Sequence, residues 1–387
     1  MTEVVIAGIG QIPVGEHYDL SLRSMGVQAL TRALRDSGNL QPEALYIGNM
    51  LAPVISHQSN LGALFTDYGH LAGIESFSAE AAGASGAAAL RLAYLAIRSG
   101  YVNTAVVLGV EKWTDVIGPE SESALSQELD FDYEAIPGLT SASQAGLLMQ
   151  RYLYENHLPA DALGGFPMLA HANAVNNPNA MYRKAISAET YARSEMLSDP
   201  LRVMDAAAFA DGAAVVVLTR RDLLPADFAH PVISLTGSSV SIDTLAWHDR
   251  HDPLAFTAAK KAVESATRQA GILPKYAHLF ELDDTYSIYA ALSLEACGLA
   301  EKGTAWKLAK EGQFAINGKL PVMTMGGCKA RGNAVGAMGV YQAVEAVQQL
   351  RGEAGVNQVP DARIALTLAL GGPASTAVAH VFERAEN

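Results

Sequence analysis

Apolar and polar positions change rhythm in blocks along the chain. Residues 3–9 form a largely apolar segment, which predicts a strand. Residues 21–37 become apolar at helical spacing and stop at Gly38, which predicts a helix with a glycine just past its end. A second helix is predicted over 85–99, with Leu90, Ala93, Tyr94 and Ile97 on one stripe and Gly100 as its stop; the apolar segment from Thr104 to Gly109 then reads as a strand. This alternation predicts a mainly parallel sheet covered by helices.

From about 117 to 205 the rhythm breaks. Polar, helix-like pieces separated by Pro137, Pro159, Pro167, Pro178 and Pro200 read as an insertion. Strand-like sequence returns from Asp211 to Leu218, and the charged stretch from Thr219 to Asp222 before Pro225 suggests a boundary, giving halves 1–225 and 226–387. In the second half a glycine-rich segment from Met325 to Gly336 leads into a helix with Val340, Ala343, Val344, Val347 and Leu350 on one face, then a strand from Ile364 to Leu370. Loop, helix and strand repeat the order of Gly83 to Leu108, as an internal duplication would.

Composition narrows the function. With 387 residues, 50% of them hydrophobic and 17% charged, the chain suits tightly packed helices on buried sheets. A net charge of -13 without a dense basic stretch argues against general nucleic-acid binding. No apolar run reaches membrane-spanning length and no charged leader precedes the first strand, so a cytoplasmic protein is expected. Cys297 and Cys328 are too few for a disulfide framework and have no CxxC spacing, so no metal is expected. Gly8 and Gly10 lack the third glycine of a dinucleotide loop and meet Pro13, so no nicotinamide site is expected.

Several longer motifs carry a resemblance. They are Gly48-Asn-Met50, Glu80-Ala-Ala-Gly-Ala-Ser-Gly86, Gly109-Val-Glu-Lys-Trp-Thr-Asp115, Asn177-Pro-Asn-Ala180, Ser198-Asp-Pro-Leu-Arg202, Ala210-Asp-Gly-Ala-Ala214, Gly318-Lys-Leu-Pro-Val322 and Gly371-Gly-Pro373. Over nearly its whole length the chain resembles the thiolase superfamily, in particular the sterol-carrier-protein-type thiolases and their archaeal and bacterial relatives. That resemblance implies two duplicated halves in a five-layer αβαβα arrangement with an inserted loop domain, a coenzyme A thioester as substrate, and at least a dimer. It also implies a partner of the small OB-fold, zinc-ribbon kind that such relatives pair with.

The resemblance also marks three departures. Gly83 stands where the family carries its nucleophilic cysteine, so covalent acyl transfer there is lost, while backbone donors at Gly83, Gly371 and Gly372 remain available to an oxyanion. Asp283 stands at the histidine of the His-Asp-x-Phe motif. Beside Asp284 it reads either as a base whose pKa is raised by its neighbour or as a capped turn before a helix starting near Ser287. Asn333 replaces the histidine of Gly-His-Pro-x-Gly; it cannot relay protons but can donate a hydrogen bond to an oxyanion, unless the loop is a relic.

Other residues carry paired readings. Cys328, five residues before Asn333, is a substitute nucleophile or a packing residue, and Cys297 is core. Ser85 reads as a helix cap; Tyr286 and Tyr289 read as phenols in the pocket or as packing. His171 is catalytic or structural, and Arg183 with Lys184 meets a coenzyme A phosphate or lies solvated. Three functions follow: a cysteine-independent enzyme cleaving a carbon–carbon bond of an acyl-CoA by retro-aldol or decarboxylative chemistry, a non-catalytic subunit, or an acetyl-CoA acetyltransferase with an unconventional nucleophile.

Overall fold

The computed structural model describes residues 2–385. The opening apolar run is strand β1 (Val4–Gln11), followed by helix α1 (Leu22–Asp36), whose first turn is capped by the Ser21 hydroxyl accepting the Ser24 N–H at 3.1 Å. Next come β2 (Ala44–Gly48), α2 (Leu61–Tyr68), β3 (Glu75–Ala79), α3 (Ser85–Arg98) and β4 (Thr104–Glu111). The proline-punctuated region folds as helices α4 (Pro119–Leu125), α5 (Ser141–Glu155), α6 (Gly165–Ala174) and α7 (Ala188–Ala192), then a ribbon of β5 (Met196–Ser198) and β6 (Leu201–Arg202). The chain rejoins the sheet as β7 (Gly212–Arg220).

The second half contributes β8 (Ile233–Ile242), α8 (Thr257–Ala270), β9 (Leu279–Leu282), α9 (Ser287–Ala296), α10 (Ala305–Lys310) and α11 (Gly327–Arg331). It ends with α12 (Met338–Arg351), β10 (Ile364–Gly371) and β11 (Thr376–Arg384).

Strands run in the order β3-β2-β4-β7-β1-β8-β11-β10-β9. The expectation of a mainly parallel sheet is corrected: β2 is parallel to β3 and β4, and β9 to β10, but β7 is antiparallel to β4 and β1, and β11 to β10 and β8. β7 is reached from the insertion rather than by a crossover helix, and β10 turns directly into β11 as a hairpin. β1 and β8 pair only at Val5–Ser234 and Ile6–Ile233, so the sheet is two half-sheets joined along a short seam.

Burial makes the layers. α1 buries Met25, Ala29 and Ala33 against Val215 and Val217 on one outer face, and α8 buries Ala259, Ala262 and Val263 on the other. Between the half-sheets lie α3, with Ala89, Leu90 and Ala93, and α12, with Val340, Ala343, Val344 and Val347. Helix, sheet, helix pair, sheet and helix give the αβαβα arrangement. The central helices approach closely because both carry glycine at the contact: a Cβ on Gly86 would lie 2.8 Å from the Gly336 carbonyl oxygen, and one on Gly339 would lie 2.4 Å from the Ala87 nitrogen.

Candidate functional site

The N-terminus of α3 and the C-terminal end of β10 meet at one point. The elbow before α3 holds Ala82 in the left-handed region at φ 50°. Ser85 fixes it, donating its hydroxyl to the Ala82 carbonyl at 2.6 Å and accepting the Ala81 N–H at 2.9 Å. Gly83 then faces β10 with no space for a side chain, since an added Cβ would lie 2.6 Å from the Leu370 carbonyl oxygen.

Beside Gly83 is a cavity of about 20 Å³, bordered by Glu128, Asp283, Tyr289, Asn333 and Gly372. It has room for about one water. Asp283, just past β9, accepts the Thr285 N–H at 2.9 Å, and burial raises its pKa. Asp284 turns the other way and accepts the N–H groups of Cys328 and Lys329, capping α11; burial, with Asp283 adding repulsion, pushes it up to about 7. Asn333 borders the cavity, with its side-chain oxygen accepting the Val335 N–H at 2.9 Å.

Two residues of this cavity acquire importance only in three dimensions. Glu128, in the turn after α4, is pushed up to about 7 by burial, with Asp283 adding repulsion. Nothing local in the sequence marks Glu128, because it reaches the elbow only when the insertion folds over it. Tyr289, read in the sequence as pocket or packing, is buried on α9 with no partner for its hydroxyl, and its pKa is raised well above the usual value, by burial first and then by Glu128.

A larger cleft of about 380 Å³ lies on the other side of the segment 206–210. That segment is a shared wall. Ala206 to Phe209 line the cleft, while Ala207 N–H donates to the Thr285 carbonyl at 2.8 Å and Asn333 N–H donates to the Ala208 carbonyl at 2.9 Å. Tyr286 and His171 line this cleft, not the small cavity. The His171 Nδ1 meets the Lys184 carbonyl at 3.0 Å. Burial, then the charge of Lys329, lowers the His171 pKa, so the ring is neutral with its proton on Nδ1, and Nε2 presents a lone pair without a protein partner.

Lys329, absent from the candidates drawn from the sequence, also lines the cleft. It donates to the Ala206 carbonyl, and burial lowers its pKa to about 8.

The remaining candidates lie apart from both spaces. Cys328 is fully buried, its Sγ 3.9 Å from Asp283 Oδ1, and burial followed by the two carboxyls raises its thiol pKa well above the usual value. Arg183 and Lys184 are exposed beside the cleft and line neither space; only the Lys184 carbonyl reaches inward. No helix among the described residues is long and apolar enough to cross a membrane.

Residues 4–222 match the family described as thiolase, N-terminal domain, and residues 239–384 match thiolase C-terminal domain-like. The chain belongs to the thiolase superfamily. Among relatives of this thiolase-superfamily chain, an acetyl-CoA acetyltransferase of Methanothermobacter thermautotrophicus is 36% identical over 99% of this chain and 100% of its own length. The benzoylsuccinyl-CoA thiolase subunit BbsB of Thauera aromatica is 27% identical over 96% of this chain and 95% of its own. Among solved structures, the Ltp2-ChsH2(DUF35) aldolase superposes with a TM-score of 0.85 at 21% identity, covering 99% of this chain and 98% of that one. The Acat5 thiolase from Ascaris suum in complex with coenzyme A gives 0.73 at 17% identity, covering 99% and 100%. These two structural likenesses establish the thiolase fold.

Proposed function

We propose that this chain binds acyl-CoA thioesters and cleaves a carbon–carbon bond without a cysteine nucleophile, by retro-aldol chemistry. The observation that carries the reading is the replacement of a nucleophile by ionisable oxygen groups: beside the bare Gly83 stand two carboxyls with raised pKa, Glu128 and Asp283, and the unpartnered hydroxyl of Tyr289. Such a set suits proton transfer near neutral pH. In a 3-hydroxyacyl-CoA, an ionised carboxylate takes the hydroxyl proton and the bond between the α and β carbons breaks. Its electron pair passes to the thioester enolate, which is protonated at the α carbon, releasing an aldehyde or ketone and a shortened acyl-CoA. Asp283 is assigned the base, while Asn333 and the protonated Glu128 are assigned hydrogen bonds to the enolate oxygen. The pantetheine arm is assigned to the larger cleft beside Tyr286, His171 and Lys329, which requires the wall of residues 206–209 to part towards the small cavity when substrate binds.

Support comes from the coenzyme A in the Ascaris neighbour, the acetyl-CoA named in the Methanothermobacter relative and the aldolase named in the Ltp2-ChsH2 title. That title, which pairs Ltp2 with ChsH2(DUF35), supports a partner protein, for which the small OB-fold, zinc-ribbon kind is proposed, and a homodimer is proposed for the chain itself. The test is incubation with 3-hydroxyacyl-CoA substrates, with and without such a co-expressed partner, following the shortened acyl-CoA and the aldehyde by mass spectrometry. Product in either arm supports the reading, and none in both removes it.

A second reading, a non-catalytic subunit, is favoured by the space of about 20 Å³ at Gly83 and the contact with Leu370. Co-purification with a cysteine-bearing thiolase would support it. The full burial of Cys328 gives no support to an acyltransferase reading.

A further inference from the structure

The larger cleft contains a buried lysine without a counter-ion. Lys329, on α11, is 6% exposed, and among the described residues its amine makes no ion pair. It donates to one acceptor, the Ala206 carbonyl oxygen, at 2.5 Å. Lys112 shows the usual arrangement: equally buried, it is paired with Asp115 at 2.6 Å and Asp211 at 3.0 Å. An ammonium taken out of water and left unpaired is costly, so the site of Lys329 favours the neutral amine.

We infer that Lys329 is a covalent carbonyl acceptor: its amine captures a small apolar aldehyde or ketone in the larger cleft as a Schiff base. This goes beyond the acyl-CoA reading, because capture needs no thioester.

The cleft supplies what the reaction requires. Its volume of about 380 Å³ suits a small ligand, and Val203, Met204, Ala206 and Phe209 make its walls apolar. Tyr182, Leu197 and Val203 are 40%, 45% and 43% exposed, so the cleft has an open rim. The bond to Ala206 uses one N–H of the neutral amine and leaves its lone pair free. His171, on the same cleft and 5% exposed, presents Nε2 without a protein partner.

In the proposed step the Lys329 lone pair forms a bond to the carbonyl carbon, and the carbonyl oxygen takes up a proton. His171 Nε2 accepts a proton from the nitrogen and returns it to that oxygen as the C–O bond breaks. One carbonyl compound and one amine thus give one imine and one water, with no oxidant or reductant.

The titratable groups facing Lys329 are Asp284 after β9, Asp205 after β6, and His171 on α6, with Glu122, Tyr182 and Tyr286 on the cleft walls. Both aspartates are engaged elsewhere, Asp284 with the Cys328 N–H and Asp205 with the hydroxyls of Tyr191 and Ser287. Burial therefore prevails over their attraction and lowers Lys329 to about 8. At pH 7 its neutral fraction exceeds that of an ordinary lysine, with a pKa of about 10.4, by roughly a hundredfold.

Trapping tests the inference. The full chain is incubated at pH 7 with propanal and sodium cyanoborohydride, which reduces the imine to a stable propylamine, and peptides are mapped by mass spectrometry over time. Lys329 should be labelled at least about tenfold faster than the exposed Lys260 and Lys302, and the preference should vanish in guanidinium. Labelling of Lys329 no faster than those two, or a preference that survives unfolding, overturns the inference. His171→Asn, with folding verified by circular dichroism, should slow labelling of Lys329 by roughly tenfold or more while leaving Lys302 unchanged; an unslowed variant overturns the proton path. No thioester is present, so trapping at Lys329 in a chain without retro-aldol turnover upholds this inference and leaves the failure with the acyl-CoA reading alone.

Discussion

Gly83 and Leu370 touch through the backbone: where a side chain would begin at residue 83, the carbonyl oxygen of residue 370 already stands, 2.6 Å from an ideal Cβ. Restoring a cysteine therefore requires the elbow or β10 to shift. Gly83→Cys is expected to lower stability by about 1–3 kcal/mol, measured by urea unfolding. It should also fail to confer thiolysis of acetoacetyl-CoA, because Asn333 supplies no proton relay to a thiol. Efficient thiolysis by this single variant would show that the contact relaxes freely.

Asp283 and Asp284 should separate under mutation. Asp283→Asn removes the proposed base and is expected to reduce retro-aldol turnover by roughly 10²–10⁴-fold with little change in KM. Asp284→Ala removes the cap of α11, so its main effect should be a loss of about 1 kcal/mol or more in unfolding free energy. Matching kinetic losses without a stability difference would contradict this division of roles.

Neither thiol should react in the native state. Cys297 and Cys328 are both buried, and burial raises both pKa values. Iodoacetamide at pH 8 is expected to label neither over a time in which guanidinium-unfolded chain is labelled at both, as read by intact mass. Rapid native labelling of Cys328 would reopen its role as a nucleophile.

Stability should fall as pH rises from about 6.5 to 8. Burial raises Glu111 and Asp284 to about 7 and Glu345 to about 8, whereas in the unfolded chain such groups ionise near 4. The native state thus holds more protons in this window, and unfolding free energy declines with pH by about 1–3 kcal/mol. Below 6.5 the buried His380, lowered to about 3, works in the opposite direction, because the unfolded chain protonates it first. A flat profile between pH 6.5 and 8 would refute the carboxyl assignments.

Lys329→Met is expected to weaken acetoacetyl-CoA binding roughly tenfold, the scale of one charge-assisted hydrogen bond, as measured by calorimetry alongside circular dichroism to verify folding. Unchanged affinity would remove Lys329 from the substrate cleft.

The elements that carry the site were legible because their signals are local. The stripe through Leu90, Ala93 and Tyr94 and the stops at Gly38 and Gly100 depend only on near neighbours in the chain. Strand direction was not legible: the apolar residues of β7 bury equally well in either orientation, and only the route through the insertion reverses it. The Asp pair looked like two equals in the sequence, yet consecutive residues leaving a strand end face opposite ways. Hence Asp283 enters the cavity and Asp284 reaches α11. Glu128 and Lys329 stayed hidden because each acquires its role from a segment far away in sequence, the β10–β11 turn for one and the wall at Ala206 for the other.

The glycine contacts between the two central helices set what this chain can change. At Gly86 and Gly339 the opposing helix leaves no volume for even a methyl group, whereas the side chains bordering the neighbouring cavity depend on hydrogen bonds that other polar residues can also make. Substitution is thus cheap where the chemistry sits and costly in the frame behind it. A lineage built on such a frame can exchange one reaction for another, or abandon reaction altogether, while its backbone continues to look like that of an enzyme.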